Sequence, residues 1–394
     1  MTMRPLQDIT VVAIEQAVAA PFATRQLADL GARVIKIERP DGGDFARGYD
    51  TTVKGLSSSF VWLNRSKESL TLDLTRPEAA GVFARLIDRA DVFVQNLAPG
   101  AADRLGTAPG VLRERHPRLI ACSVSGYGSS GPYARKKAYD LLVQSEAGLI
   151  SITGTEDAPA KAGISVADIA AGMYAYSGIL TALLARTATG LGASLEISLF
   201  DALTEWMAQP AYYTGYGGAP LSPSGPNHAS IAPYGPFRAG DGGHVTLGIQ
   251  HAREWARFCA DVLRRPELAV DERFRTNPLR VKNRRALHDA IESAFSTLST
   301  GDVIGRLESA RIAWARLNSV ADLLDHPQLA QRDCWRDIES PAGPLRAIVP
   351  PVRMDGVEPV MGAVPALGQH TDAILEELGM ARDAVAAWRM EGVI

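Results

Sequence analysis

The first third of the chain alternates short apolar runs with proline-opened amphipathic stretches, and this rhythm constrains the fold more than any other feature. Residues 9–14 (ITVVAI), 34–38 (VIKIE), 70–74 (LTLDL), 91–95 (DVFVQ) and 119–124 (LIACSV) read as buried strands. Residues 21–31 and 77–89 read as helices, each with Pro at its start, and the first has Gly past its end. A repeated strand–helix–strand pattern of this length implies a parallel sheet with helices on both faces, an α/β fold. The turn after the first strand is EQAVAAPFA rather than GxGxxG, so a nicotinamide or flavin dinucleotide has little support there.

With 394 residues the chain is long enough for two domains. A net charge of −3 with both signs interspersed excludes nucleic acid as the main partner. The clusters Arg135-Lys136-Lys137 and Arg284-Arg285 are too short to line a nucleic-acid groove. Three widely spaced cysteines without a CxxC pair point to a reducing compartment, and no His pair stands at metal-ligand spacing. The apolar stretch at the N-terminus is broken by Glu15, and no uncharged apolar run reaches membrane-spanning length. A cytoplasmic protein without a membrane partner is expected.

Beyond residue 160 the sequence predicts a long apolar helix from 168 to about 186, a strand at 194–198 and a helix at 200–209. The Gly/Pro/Ser-rich stretch 212–243 follows, with the composition of a linker or active-site loop. A second strand–helix pattern starts at HVTLGI and runs on through helices to about 332. A strand at 345–349 and a terminal helix after residue 371 complete the chain. The expected division is 1–210 for the first part of a large domain, 211–243 for linker and loop, 244–330 for a small domain, and 331–394 for a return to the large one.

GISVADIAAGMYAYSGIL, residues 163–180, places one acid at the mouth of the apolar helix. Ser165 and Asp168 have the spacing of a capping box, and an acid is favoured in a first turn. A nucleophilic carboxylate fits the same position.

Four stretches together resemble the class III CoA-transferases, a family that also holds the α-methylacyl-CoA racemases. They are residues 5–47, residues 72–106 (LDLTRPEAAGVFARLIDRADVFVQNLAPGAADRLG), VSGYGSSGPY followed by Asp168 and its helix, and the end with LLDHPQLAQRDCW and LGQHTDAILEELG. They cover nearly the whole chain in order. The resemblance implies a Rossmann-like large domain built from both ends of the chain, a smaller α/β domain between them, and a homodimer of two chains threaded through each other as interlocked rings.

It also implies roles. Asp168 matches the catalytic aspartate, which attacks an acyl-CoA thioester and passes through anhydride and aspartyl-CoA thioester intermediates. Such a nucleophile must be ionised and poorly hydrated, and a helix N-terminus can hold it ionised. Val18, Arg39, Leu72, Asn96, Leu97, Arg104 and Lys137 are the matched CoA contacts. The family's racemases pair the aspartate with a His that precedes an Asp. Here that pair is Tyr139-Asp140, and His251 stands where racemases carry a glutamate. These departures favour the transferase over the racemase. A non-catalytic CoA-binding protein is the third reading, and it leaves an acid on an apolar helix unexplained. Residues 214–220 (TGYGGAP) read either as an ordinary interdomain turn or as a mobile loop that excludes water from the intermediates. No metal or bound organic cofactor is implied; CoA is a substrate.

The overall pattern looks most like members that handle dicarboxylic acids of four or five carbons, such as succinate, mesaconate, itaconate and citramalate. A second carboxylate needs cationic or hydrogen-bonding partners. The loop 224–238 offers Asn227, His228 and Arg238, with Tyr139 as a further substrate contact, and is expected where the domains meet.

Overall fold

The structure, a computed structural model, describes residues 4–217 and 220–394. It divides into two compact units. The first holds residues up to Ala147, Gly163–Ala208 and Gln328–Ile394; the second holds Gly148–Ala162 and Gln209–Pro327. The stretch 211–243 therefore belongs to the second unit as part of its body, and residues 148–162 join it there.

In the first unit six parallel strands form one sheet: β1 (Thr10–Ile14), β2 (Arg33–Glu38), β3 (Lys67–Thr71), β4 (Val92–Gln95), β5 (Ile120–Ser125) and β6 (Ser194–Ser198). Their order is β3-β2-β1-β4-β5-β6. The connections reverse between β1 and β4, the doubly wound arrangement in which ligands sit beyond the carboxyl ends of the strands. Val12, Ile35, Leu70, Phe93 and Ala121 are buried in one core cluster with Phe83 and Leu86 from the crossover helix Ala79–Asp88.

Three readings of this region are corrected. β3 starts at Lys67 and ends at Thr71, instead of spanning 70–74. Lys67 lies outside the expected strand, yet it is buried with its Nζ 2.6 Å from Glu15. Asp73 leaves the strand because its carboxylate accepts from the Thr75 amide and hydroxyl. The first helix, α1 (Ala19–Asp29), opens two residues before Pro21, in a first turn where proline's missing N–H costs nothing. The chain's end carries two helices, Thr371–Glu377 and Arg382–Met390, separated by Gly379 at φ +83°.

The helix α2 (Asp140–Glu146) and the long α3 (Val166–Thr189) lie between β5 and β6 in the chain. By length and composition α3 could cross a membrane. Here it is a core helix: Ala167, Ala170, Ala171, Gly172 and Ala175 are buried, and the small residues allow close packing on α1. A separate hairpin, β10 (Trp335–Ile338) with β11 (Leu345–Ile348), pairs the expected strand near 345 with one the sequence hid.

The second unit is built on an antiparallel three-stranded sheet of β7 (Tyr234–Arg238), β8 (His244–Gly248) and β9 (Trp314–Arg316), with β8 in the centre. Phe237, Leu247, Trp255, Phe258 and Phe295 form its core. The Gly/Pro-rich stretch thus contains an ordered strand. Pro236 is tolerated because β7 is an edge strand, where a missing donor breaks no ladder on its outer side. The expected helix at 200–209 breaks at Met207 into Leu199–Trp206 and Ala208–Gly217.

Candidate active site

Helices that follow parallel strands start at the carboxyl edge of the sheet, so the loops after β1, β4 and β5 and the N-terminus of α3 share one edge. At the topological switch the turn after β1 is tied to the loop after β4. The Gln16 amide donates to Asn96 Oδ1 at 2.9 Å, and Asn96 Nδ2 donates back to the Gln16 carbonyl at 2.8 Å. Asn96 therefore spends its side chain on holding the turn. Val18 and Leu72 are buried, at 7% and 1% exposure, and offer a ligand little surface.

Two cavities open along this edge. The larger, 1040 Å³, is lined by Leu97, Arg104, Arg135 and Lys137 with the Ser123–Gly126 backbone. The smaller, 130 Å³, is lined by Arg39, Leu72 and Leu97 with Gln16 and Asp44. Leu97 borders both. Arg39, Arg104 and Lys137, scattered over a hundred residues of sequence, are exposed along one edge, and no ion pair among the described residues occupies them. Arg135, which the sequence marked only as surface charge, joins the larger cleft. No group of three or more His, Cys, Asp or Glu among the described residues could hold a metal ion.

Asp168 stands in the first turn of α3, but not as half of a capping box. Ser165 is the N-cap, but its side chain makes no capping hydrogen bond among the described residues. The cap is Asp140, 28 residues earlier. Its Oδ1 accepts from the Ala167 amide at 2.8 Å and the Asp168 amide at 3.4 Å, while Gln144 Nε2 donates to Oδ2 at 2.6 Å. The helix N–H groups that would hold Asp168 ionised are thus directed to another carboxylate. No hydrogen bond among the described residues reaches the Asp168 carboxylate. Burial, followed by the negative charge of Asp140, pushes Asp168 up to about 7. The expectation of a firmly ionised carboxylate is corrected: at neutral pH the group is poised between its two forms.

Tyr49 interacts electrostatically with Asp168 and with Tyr139. Burial raises Tyr49, and Asp44, Asp168 and Tyr139 are close enough to raise it further. Tyr139 is 68% exposed and precedes the helix whose first residue is Asp140. One turn beyond Asp168, Gly172 packs on the start of α1, where an added Cβ would lie 2.6 Å from the Ala19 carbonyl. The sequence singled out Asp140 only as the partner of Tyr139, not as the cap of α3, and Tyr49 carried no local signal. The lysine within VIKIE did carry a signal, since a charge inside a buried strand requires a partner.

The remaining substrate candidates lie in the second unit. The His228 ring stacks on Tyr234 at 5.3 Å and its Nδ1 accepts from the Ser230 amide. Asn227 Nδ2 donates to the Ser224 carbonyl, and its Oδ1 is packed over Gly235. Arg238 ends β7, exposed, with no ion pair among the described residues. It lies four residue steps along the strand from Tyr234, about 13 Å at the strand rise, so His228 and Arg238 are not brought together as one carboxylate grip. His251 caps the helix Ala252–Arg257 by accepting from the Glu254 amide. Of the stretch 214–220, residues 218–219 lie outside the described residues, and the part up to Gly217 is helical.

The profile of CoA-transferase family III matches residues 6–371. A succinyl-CoA:glutarate CoA-transferase of Mus musculus is 32% identical over 96% of this chain and 87% of its own length. A succinyl-CoA:mesaconate CoA-transferase of Haloarcula hispanica is 31% identical over 96% of this chain and 97% of its own. Among solved structures, a CAIB/BAIF family protein from Brucella suis superposes with a TM-score of 0.84 at 32% identity, covering 95% of this chain and 99% of that one. The family profile, the relatives and the shared doubly wound fold agree: the chain is a member of CoA-transferase family III.

Proposed function

We propose that this enzyme moves CoA between C4–C5 dicarboxylates, with Asp168 as the covalent nucleophile. The observation that carries the reading is the Asp168 carboxylate itself, half-buried at a ligand edge, free of hydrogen bonds among the described residues and poised near neutrality. An unsolvated carboxylate is a stronger nucleophile than a hydrated one. Asp168 Oδ attacks the donor thioester carbonyl, the C–S bond breaks, and CoA thiolate leaves an acyl–aspartyl anhydride. The thiolate attacks the aspartyl carbonyl and expels the donor acid. The acceptor carboxylate attacks the resulting aspartyl-CoA thioester and expels the thiolate again. The thiolate then takes the acceptor acyl group from the second anhydride, and the Asp168 carboxylate is restored.

Arg39, Arg104 and Lys137 hold the phosphates and adenine end of CoA along the two cavities. Leu97 packs against the CoA chain where the cavities meet. Asn96, Val18 and Leu72 act by shaping the pocket wall. The diacid preference is supported by relatives named for activity on succinyl-CoA with glutarate or mesaconate. Arg238 holds the acceptor's distal carboxylate, because its guanidinium fork is unengaged while His228 is committed to Tyr234. Tyr139, in place of a histidine, disfavours α-proton exchange. The active form is the interlocked homodimer, consistent with exposed apolar side chains such as Leu184 and Tyr216. The free cysteines fit a cytoplasmic enzyme.

The test combines trapping with a substrate screen. Incubation with succinyl-CoA leaves an acyl or CoA adduct on Asp168 that hydroxylamine captures; Asp168→Asn forms none, and Asp168→Ala loses turnover by several orders of magnitude. Full turnover in Asp168→Ala refutes the nucleophile. Preference for monocarboxylates or long-chain acyl-CoA refutes the diacid assignment alone.

A further inference from the structure

Beneath the turn after β1 lies a chain of buried charges that the reaction above does not use. Lys36 Nζ donates to Asp44 Oδ2 at 2.6 Å and stands 3.7 Å from Glu15. Lys67 Nζ donates to the same Glu15 at 2.6 Å and to the Pro21 carbonyl at 3.1 Å, and Thr24 donates to Glu15 at 2.6 Å. All four charged residues are buried. Burying ion pairs is weak as a source of stability, because desolvation offsets their attraction. What they do supply is fixed geometry.

That geometry converges on one backbone segment. Asp44 Oδ1 accepts from the Ala17 amide at 3.1 Å and from the Ala46 amide at 2.9 Å. Ala17 has φ +59°, a left-handed conformation that a β-carbon disfavours and that surrounding structure must impose. The segment runs directly into Ala19, whose carbonyl is the surface on which Gly172 of the Asp168 helix packs. Asp44 and Gln16 also line the smaller cavity.

We propose that Asp44, held by Lys36, is a positioning residue: it locks the strained turn 16–18 so that α1 seats the head of α3 and thereby aims Asp168. The inference rests on the transferase reading of Asp168. In Asp44→Asn the amide cannot accept from both backbone N–H groups and still face the Lys36 ammonium without setting donor against donor, so one bond is lost; Lys36 keeps Glu15 as a partner. Asp44→Ala removes all three bonds.

The experiment compares both variants with Asp29→Asn. Asp29 joins Arg25 and Arg65 in a buried triad at the far end of α1, so this variant weakens a similar pair away from the turn. Misplacing a reacting group by about 1 Å costs on the order of 10²-fold in rate, so Asp44→Ala is expected to lose about that in kcat and Asp44→Asn less, with the KM for acyl-CoA within about threefold. Amide exchange of the peptide spanning 16–19 accelerates in both Asp44 variants and not in Asp29→Asn, which keeps near-normal kcat at a comparable fall in Tm. Unchanged exchange at 16–19 in Asp44→Ala overturns the proposal, as does a kcat loss that Asp29→Asn reproduces. A wild-type enzyme that forms no adduct on Asp168 refutes the transferase reading separately, and the exchange result still decides the role of Asp44.

Discussion

Gly172→Ala puts the packing of the Asp168 helix to a direct test. Within a helix the exchange alone favours alanine by about 1 kcal/mol. Here the new Cβ would meet the Ala19 carbonyl oxygen at 2.6 Å and the Phe22 side chain at 3.0 and 3.1 Å. The oxygen is backbone and cannot swing aside. Ordinary contact begins at 3.4 Å, so α1 and α3 must separate by about 0.8 Å at this level, an overpacking that costs about 1–3 kcal/mol. The net loss is therefore about 0–2 kcal/mol, a small fraction of a domain's stability. The catalytic effect is larger. Asp168 lies one turn away on the same rigid helix, and a shift of that size is expected to lower kcat roughly tenfold or more. Urea unfolding gives the first quantity and steady-state kinetics the second. A variant that is more stable than wild type with unchanged kcat would show that the helices do not meet as described, and the argument from close packing would fall with it.

Four further outcomes follow from the same geometry. Because Asp168 is raised to about 7, chiefly by burial and then by Asp140, adduct formation from acyl-CoA rises with pH through about 7, and Asp140→Asn, which keeps a capping oxygen but removes the like charge, moves that midpoint down; a midpoint near 4 in wild type refutes the burial argument. A carboxyl raised in the folded state binds protons that the unfolded chain has lost, so its contribution to stability falls between about pH 4 and pH 7; Asp168→Asn should accordingly melt higher at pH 8 than wild type, with less difference at pH 5, as calorimetry can check. Arg104→Ala with Lys137→Ala raises the KM for succinyl-CoA about tenfold or more and leaves succinyl-pantetheine, which lacks the nucleotide, within about twofold; an equal effect on both would remove these residues from the phosphate end. Arg238→Ala raises the acceptor KM about tenfold while His228→Ala changes it less than threefold, and the reverse order would move the distal carboxylate to the His228 side.

The alternation of strands and helices, the parallel sheet and the position of Asp168 were all readable from the sequence, because each rests on local signals. Period-two and period-3.6 patterning, proline at helix starts and glycine past helix ends act within a few residues. The same local signals erred wherever a distant partner outvoted them. Lys67 lies in a strand because Glu15, 52 residues away, neutralises it. Gly235 and Pro236 lie in a strand because β8 offers a ladder to an edge. The S-x-x-D spacing at 165–168 promised a capping box, yet Asp140 holds the helix end from across a loop.

For the site the division is sharper. The sequence alone determined which residue types stand where strands end, since the topology sends every such loop to one edge of the sheet. It could not determine the state of Asp168. That state depends on burial and on a second carboxylate placed beside it by tertiary packing, and a pKa reports surroundings in space, not neighbours in the chain. The same holds for Arg39, Arg104 and Lys137, which the family resemblance marked one by one but no local pattern tied together. They become one cationic edge only after β1, β2, β4 and β5 align, because charges far apart in the chain add their fields only where folding brings them together.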